Sequence, residues 1–292
     1  MKKYIVTIGF ITLLILGFFL SFPPNVEPIT YGSESIFHSG GTYLVDIAKL
    51  DNTHFVVVYE DNSIFYDNAS IGTVSGDTIT FGGEYTFNTA GTHILSVAAL
   101  DSTHFVVVFE DYGNLNYGAA VIGTVSGDTI TFGSKYYFNE NTTEEMSVAA
   151  LDSTHFVVAY ENGWDITGAC RIGTVSGTDI SYGAGYIFND ETSDISVSAL
   201  DSNTFVVAYK DGANADYGTA VIGDVSGTDI SYGSEYVFNA AQTNDISVSA
   251  LDSSHFVVSY QDAGHSYYGT AIIGEVTICL LYTSDAADDM QC

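Results

Sequence analysis

The sequence predicts an all-β fold made of copied four-stranded units, and three observations predict it. The phrase Leu50-Asp51-Asn52-Thr53-His54-Phe55 returns, slightly altered, from Leu100, Leu151, Leu200 and Leu251, a period of about fifty residues. Val, Ile, Thr, Phe and Tyr dominate short runs bounded by Gly, Asp, Ser and Asn, the composition of strands between turns. No helical periodicity persists beyond the N-terminal segment.

Each unit reads as four strands. In the fourth copy the first is Ser196–Leu200, the second Phe205–Tyr209, the third Gly218–Gly223, and the last runs from Ile230 through Tyr232 to Phe238. Asp-Ser-Thr after the first strand and Ser-Gly-Asp-Thr after the third are turn formers at hairpin spacing. The second strand is apolar on both faces, since Phe55, Val57 and Tyr59 alternate with Val56 and Val58. A sheet with one wet face alternates with polar residues instead. Stacking sheets face to face buries both sides, which makes these units the blades of a β-propeller.

The start of the array fixes how such a ring closes. Pro28–Phe37 matches Asp229–Phe238, so the array opens on an isolated fourth strand, continues through four complete blades and ends on three strands of a fifth. The leading strand is expected to complete the last blade, giving five blades without open sheet edges and hence a monomer. Further blades belong to the natural protein if its C-terminus lies elsewhere.

Over residues 28–277 the chain resembles secreted β-propeller repeat proteins. It lacks the Trp-Asp dipeptide of WD repeats, the paired glycines of kelch repeats and the Asp-box of sialidases. Phe81-Gly82 and Phe132-Gly133 are similar to integrin-type FG-GAP repeats, but the dense Asp-x-Asp-x-Asp-Gly calcium loop is missing. The resemblance therefore implies a fold and carries no family site.

The ends differ from the middle. Lys2 and Lys3 precede an uncharged apolar run from Tyr4 to Phe22, so residues 1–22 read as an export signal or an N-terminal anchor. Either places the array outside the cell or on its surface, with the membrane touched only by this segment. Cys279 to Asp289 breaks with the repeat and resembles the translated read-through of a sequencing adapter, so residues 278–292 read as a non-native tail. Of three cysteines, Cys279 and Cys292 fall there. Cys170 replaces Ala120, Ala220 and Ala271 of other copies and reads as a small buried side chain.

Charge excludes whole classes of function. Against 36 Asp and Glu stand 6 Lys and Arg, a net charge of −30. Nucleic-acid binding needs clustered cations, and so does adsorption to anionic lipid. With 46% hydrophobic residues the chain is no disordered acidic tail.

Asp-Ser-Thr-His invites a hydrolase reading. Catalysis needs one nucleophile activated once, whereas here the motif recurs in equivalent hairpins ending at His54, His104, His155 and His255, with Thr204 in the remaining copy. It reads as a turn, and no catalytic residue is assigned. The hairpins after strands one and three are nearly invariant, while the loops after strands two and four vary; those two variable sets share one face of a propeller. That points to recognition there. Glu145, Asp194 and Asp245 precede the innermost strands of successive blades and are expected at the channel rim, as ligand-binding carboxylates. Tyr117, Trp164, Tyr217 and Tyr268 offer aromatic faces for stacking on sugars. No cofactor is expected; calcium, at the oxygen-rich Asp211–Asp216 run, is the one metal considered. The sequence thus favours an exported binding or adhesion module for carbohydrate or protein. The alternative is a glycoside-cleaving enzyme using the rim carboxylates.

Overall fold

The structure is a computed structural model and describes residues 31–277. The leader-like and tail segments lie outside the described residues. Among the described residues no helix is long and apolar enough to cross a membrane.

The first blade contains β1 (Thr42–Lys49), β2 (His54–Asp61), β3 (Tyr66–Ser75), β4 (Thr78–Phe81) and β5 (Tyr85–Asn88). The second contains β6 (Leu95–Ala99), β7 (His104–Asp111), β8 (Tyr117–Ser126), β9 (Thr129–Phe132) and the first half of β10 (Tyr136–Ala150). The second half of β10 opens the third blade, which continues with β11 (His155–Asn162), β12 (Thr167–Ser176), β13 (Asp179–Tyr182) and β14 (Tyr186–Asn189). The fourth is β15 (Thr192–Ala199), β16 (Thr204–Asp211), β17 (Tyr217–Ser226), β18 (Asp229–Tyr232) and the start of β19 (Tyr236–Ala250). The fifth takes the end of β19, then β20 (His255–Asp262) and β21 (Tyr268–Glu275). Neighbouring strands within a blade are antiparallel.

The expected fourth strand is two strands. In the first blade β4 pairs with the C-terminal half of β3 and β5 with its N-terminal half. The break falls at Gly82-Gly83-Glu84, and the same interruption occurs at Gly133, Gly183 and Gly233. Elsewhere the strand pattern follows the repeat.

Burial explains the doubly apolar second strand. Val106 and Val108 pack toward the third blade, with Phe156, Val158 and Tyr160. Phe105, Val107 and Phe109 pack toward the first, with Val56 and Val58. The core is therefore a series of apolar layers between blades, and each buried Phe or Val adds about 1.5–3 kcal/mol. Polar latches stitch the innermost strands together: Val97 N donates to Asp46 Oδ2 (2.8 Å), Val197 N to Ser147 Oγ (3.2 Å) and Val248 N to Ser196 Oγ (3.0 Å).

The expected closing strand is not formed among the described residues. Ser33–Gly41 carry no strand, and β21 pairs with β20 alone. Phe37 instead packs against the first blade, on Tyr59 and Phe81.

Candidate functional site

The repeated Asp-Ser-Thr-His is built as a turn. Asp51 Oδ1 accepts from Thr53 N (2.6 Å), Thr53 Oγ1 (3.0 Å) and His54 N (2.8 Å), while its Oδ2 lies 2.8 Å from His54 Nδ1. The same contacts recur at Asp101, Asp152 and Asp252. The Thr53 amide, the His54 ring and the neighbouring donors hold the Asp51 carboxyl well below its ordinary range. The hydroxyls of Thr53, Thr103, Thr154 and Ser254 are tied to their own turns.

Glu145, Asp194 and Asp245 each sit at a β-bulge near the first-strand segment of their blades. Register shifts fall between Tyr43 and Val45, Thr143 and Met146, Ser193 and Ser196, and Asn244 and Ser247. Leu44, Asp194 and Asp245 take the left-handed conformation there, with φ of 46°, 51° and 52°. Asp194 Oδ1 accepts from Asp245 N (3.2 Å) and its Oδ2 meets Lys210 Nζ (2.8 Å). The Ile195 and Asp194 amides of the next blade face Glu145 and offset part of the rise in its carboxyl. Asp194 thus joins its blade to the next.

Beside these carboxylates lies the buried Glu161. Burial, then the negative charges of Glu144 and Glu145, push its carboxyl up to about 7, against the pull of Lys210. Burial and the Asp194 charge likewise raise Glu145. Among the described residues, no group of three His, Cys, Asp or Glu is placed to hold a metal ion. In the Asp211–Asp216 run, Asp211 Oδ1 accepts from Asn214 N (3.2 Å) and caps a short 3-10 turn.

The four aromatic candidates do not converge. Tyr117 packs edge-on against Tyr137, with centroids 5.9 Å apart. Tyr217 is half-buried, Tyr268 is exposed, and Trp164 stands 85% exposed in the β11–β12 loop.

Asp245 lines an open pocket of about 490 Å³ with Tyr260, Gln261 and Tyr267. Another pocket lies between the first two blades, on the variable-loop face. It is a cleft of about 670 Å³ whose walls include Tyr43, Phe65, His93 and Tyr112, with Glu60 also lining it. Tyr43 starts β1, Phe65 belongs to the β2–β3 loop, His93 to the β5–β6 loop, and Tyr112 to the turn after β7. The three aromatic rings remain 60%, 59% and 45% exposed for Tyr43, Phe65 and Tyr112. Apolar faces held open to water around a concavity mark a recognition site.

Local chemistry holds those rings. The His93 ring meets Tyr112 edge-on at 4.5 Å, and the Tyr112 hydroxyl lies 3.0 Å from Nε2. Glu60 Oε2 accepts from Thr92 N (3.1 Å), and Glu110 Oε2 from His93 N (3.3 Å). Both carboxylates are buried. Gly91 permits the approach: its φ is +73°, and a Cβ would meet the Phe65 carbonyl oxygen at 3.2 Å. None of these pocket residues was singled out by the repeat analysis. Their signal in the sequence is departure from the copied pattern, since Tyr43 and His93 stand where later copies carry Glu144, Ser193 and Asn244.

No protein-family model matches the sequence, and no curated protein does either. Solved structures do share the fold. A Hadza microbial sialidase, Hz136, superposes with a TM-score of 0.56 at 9% identity, over 80% of this chain and 52% of its own. The chain thus spans about half of that sialidase. A mutant of AofleA from Arthrobotrys oligospora gives 0.55 at 8% identity, over 80% of this chain and 69% of that one. An Aleuria aurantia lectin mutant, solved with Fucα1-6GlcNAc, gives 0.53 at 12% identity, over 80% and 78%. At these identities the likeness is one of fold: this chain is built of propeller-type blades, as lectins and sialidases are.

Proposed function

We propose that this protein is a carbohydrate-binding module that acts through its variable-loop face, at the cleft between the first two blades. The observation that carries the reading is the set of exposed rings of Tyr43, Phe65 and Tyr112 around a concavity with buried carboxylates beside it. Sugars present apolar C–H faces and hydroxyl edges, so recognition pairs aromatic faces with fixed hydrogen-bonding groups. A lectin solved with a fucosylated disaccharide is among the structures of the same fold, which supports the ligand class.

The ligand is a neutral sugar. Among the described residues no Lys or Arg lines the cleft, and the chain has only 6 of them against 36 acids. A sugar carboxylate is held by guanidinium or ammonium groups. With the leader-like residues 1–22, the reading places recognition outside the cell or on its surface.

The glycoside-cleaving alternative has one observation in its favour. Glu161, held up to about 7, stands beside Glu145 in the way an acid–base pair is tuned. Against it, the backbone of the next blade engages Glu145 and Glu161 is buried. A glycan array followed by calorimetry tests both readings. Binding of neutral glycans that Tyr112→Ala weakens about tenfold, a change of ~1.4 kcal/mol, is the expected result. Hydrolysis of a bound glycan that Glu161→Gln abolishes would replace the binding reading with the enzymatic one.

A further inference from the structure

Among the described residues, the fifth blade lacks what the three before it have. In the second, third and fourth blades the third strand pairs on its far side with a fourth: Gly118 with Asn139, Gly168 with Asn189, Gly218 with Asn239. The Phe before each Asn covers that glycine, so a Cβ on Gly118, Gly168 or Gly218 would meet the ring of Phe138, Phe188 or Phe238 at 2.4 Å. Gly269 holds the same position in β21, yet a Cβ on it would meet nothing within 4 Å. Nearby, Ile272 and Ile273 are 39% and 62% exposed. They line an apolar groove of about 510 Å³ with Phe238, Phe256 and Val258. A glycine slot and a strand edge stand open together.

The matching piece is at the other end of the chain. Ser33–His38 aligns with Ser234–Asn239, so Phe37 corresponds to Phe238. Phe37 packs on Tyr59 at 5.0 Å and Phe81 at 5.7 Å. Phe138 meets Tyr160 and Tyr182 of its following blade at 5.2 and 6.2 Å, and Phe188 meets Tyr209 and Tyr232 at 5.0 and 6.1 Å. Ser35 Oγ donates to the Ile79 carbonyl on β4 (2.7 Å), as the Tyr136 hydroxyl donates to Asp179 on β13. The segment is seated as a fourth strand sits on the blade after it.

Among the described residues of one molecule, Ser33–His38 and β21 do not pair. Ile47 of β1 is 59% exposed. Its counterparts Val97, Val148, Val197 and Val248 are 7%, 7%, 6% and 7% exposed, each covered by the preceding blade.

We propose that the two ends form one contact between copies of this chain. Ser33–His38 of one copy adds antiparallel to β21 of a second, laying Phe37 over Gly269 and covering the Ile47 face with the fifth blade. By the register of the fourth blade, where Val237 faces Thr219 and Asn239 faces Gly218, Ile36 falls opposite Thr270 and His38 opposite Gly269. The pairing satisfies edge amides and carbonyls that are otherwise templates for another strand. Because the surfaces differ, the contact is head-to-tail and leaves a free end of each kind. Each copy carries −30, so salt promotes association by screening repulsion.

Disulfide trapping in the full chain tests the contact, using Ile36→Cys with Thr270→Cys in a Cys279→Ser, Cys292→Ser background. Cys170 is fully buried and stays silent. Oxidation is expected to give a ladder of covalent dimers and larger species, and light scattering of the unmodified chain a mass that rises with concentration and salt. A cross-linked monomer would show that the ends meet within one copy and overturn the proposal. So would a monomer at every concentration with no cross-link. Gly269→Leu serves as the control, because its side chain enters open space in the single copy. It should keep the melting temperature while weakening association at least tenfold, and undiminished association would also count against the contact.

Discussion

Phe105 lies across Gly123 on the neighbouring strand, so closely that a Cβ at Gly123 would sit 2.1 Å from the ring Cζ. The two are direct cross-strand partners, and the pairing repeats as Phe55 over Gly72, Phe156 over Gly173, Phe205 over Gly223 and Phe256 over Gly274. The ring also meets Phe132 edge-on at 5.9 Å. Gly123→Ala is therefore expected to force Phe105 off its rotamer and destabilise the fold by about 1–3 kcal/mol, measured by urea denaturation. Gly76→Ala has open space and should cost less, about 1–2 kcal/mol, for its left-handed φ of 59°.

The Asp-Ser-Thr-His turn predicts sensitivity to acid. Burial works against ionisation of Asp101, but the Thr103 amide and hydroxyl and the His104 ring outweigh it and hold the carboxyl at about 2. A folded pKa below the unfolded value of about 3.9 means that the stabilisation is complete above that value. It is lost as pH falls toward 2. The turn is solvent-exposed, so the effect is on the order of 1 kcal/mol or less after screening. Thermal melts of Asp101→Asn between pH 5 and 2 should show a shallower fall than the parent chain.

Asp67 predicts the opposite sign. It is fully buried, with Oδ1 unpartnered and Oδ2 accepting from Asn88 Nδ2 at 2.8 Å. Burial, despite that hydrogen bond, raises its carboxyl to about 7. Here the folded state favours the proton, so stability is greatest below the unfolded pKa and declines as pH rises toward 7. Asp67→Asn should flatten the pH profile between about 4 and 7. At pH 8 it should match or exceed the parent by about 1–3 kcal/mol, as read by denaturant midpoints.

The inter-blade latches predict a modest, separable effect. Ser196→Ala removes the acceptor for Val248 N and should cost about 0.5–1.5 kcal/mol in chemical denaturation. Glycan binding at the distant first cleft should be unchanged.

The cleft predicts that its rings act together. Phe65→Ala and Tyr112→Ala should each weaken glycan affinity, since aromatic contacts contribute about 0.5–1.5 kcal/mol beyond area. Trp164→Ala, in another blade's loop, should leave that affinity intact. Calorimetry on the three variants separates the cleft from general loop exposure.

Strand identity, unit length and the inter-blade core were legible because copying repeats the same local signal. The alternation of Val56 and Val58 with Phe55, Val57 and Tyr59 records two buried faces wherever it occurs, and the Asp-Ser-Thr turn records its own hydrogen bonds. The candidate carboxylates were legible as positions but not as contacts: a bulge turns Asp194 toward the Asp245 amide of the next blade and toward Lys210 on the neighbouring strand of its own blade.

The cleft was not legible, since it gathers Tyr43, Phe65, His93 and Tyr112 from four separate segments that repeat analysis treats as noise. Ring closure was not legible for a related reason. The likeness of Ser33–His38 to Ser234–Asn239 determines what that segment can pair with, because side-chain pattern specifies a strand's partner surface. It does not determine where the partner is. That depends on how the packing angle between blades accumulates along the array, a property of the stacked cores that no single repeat contains.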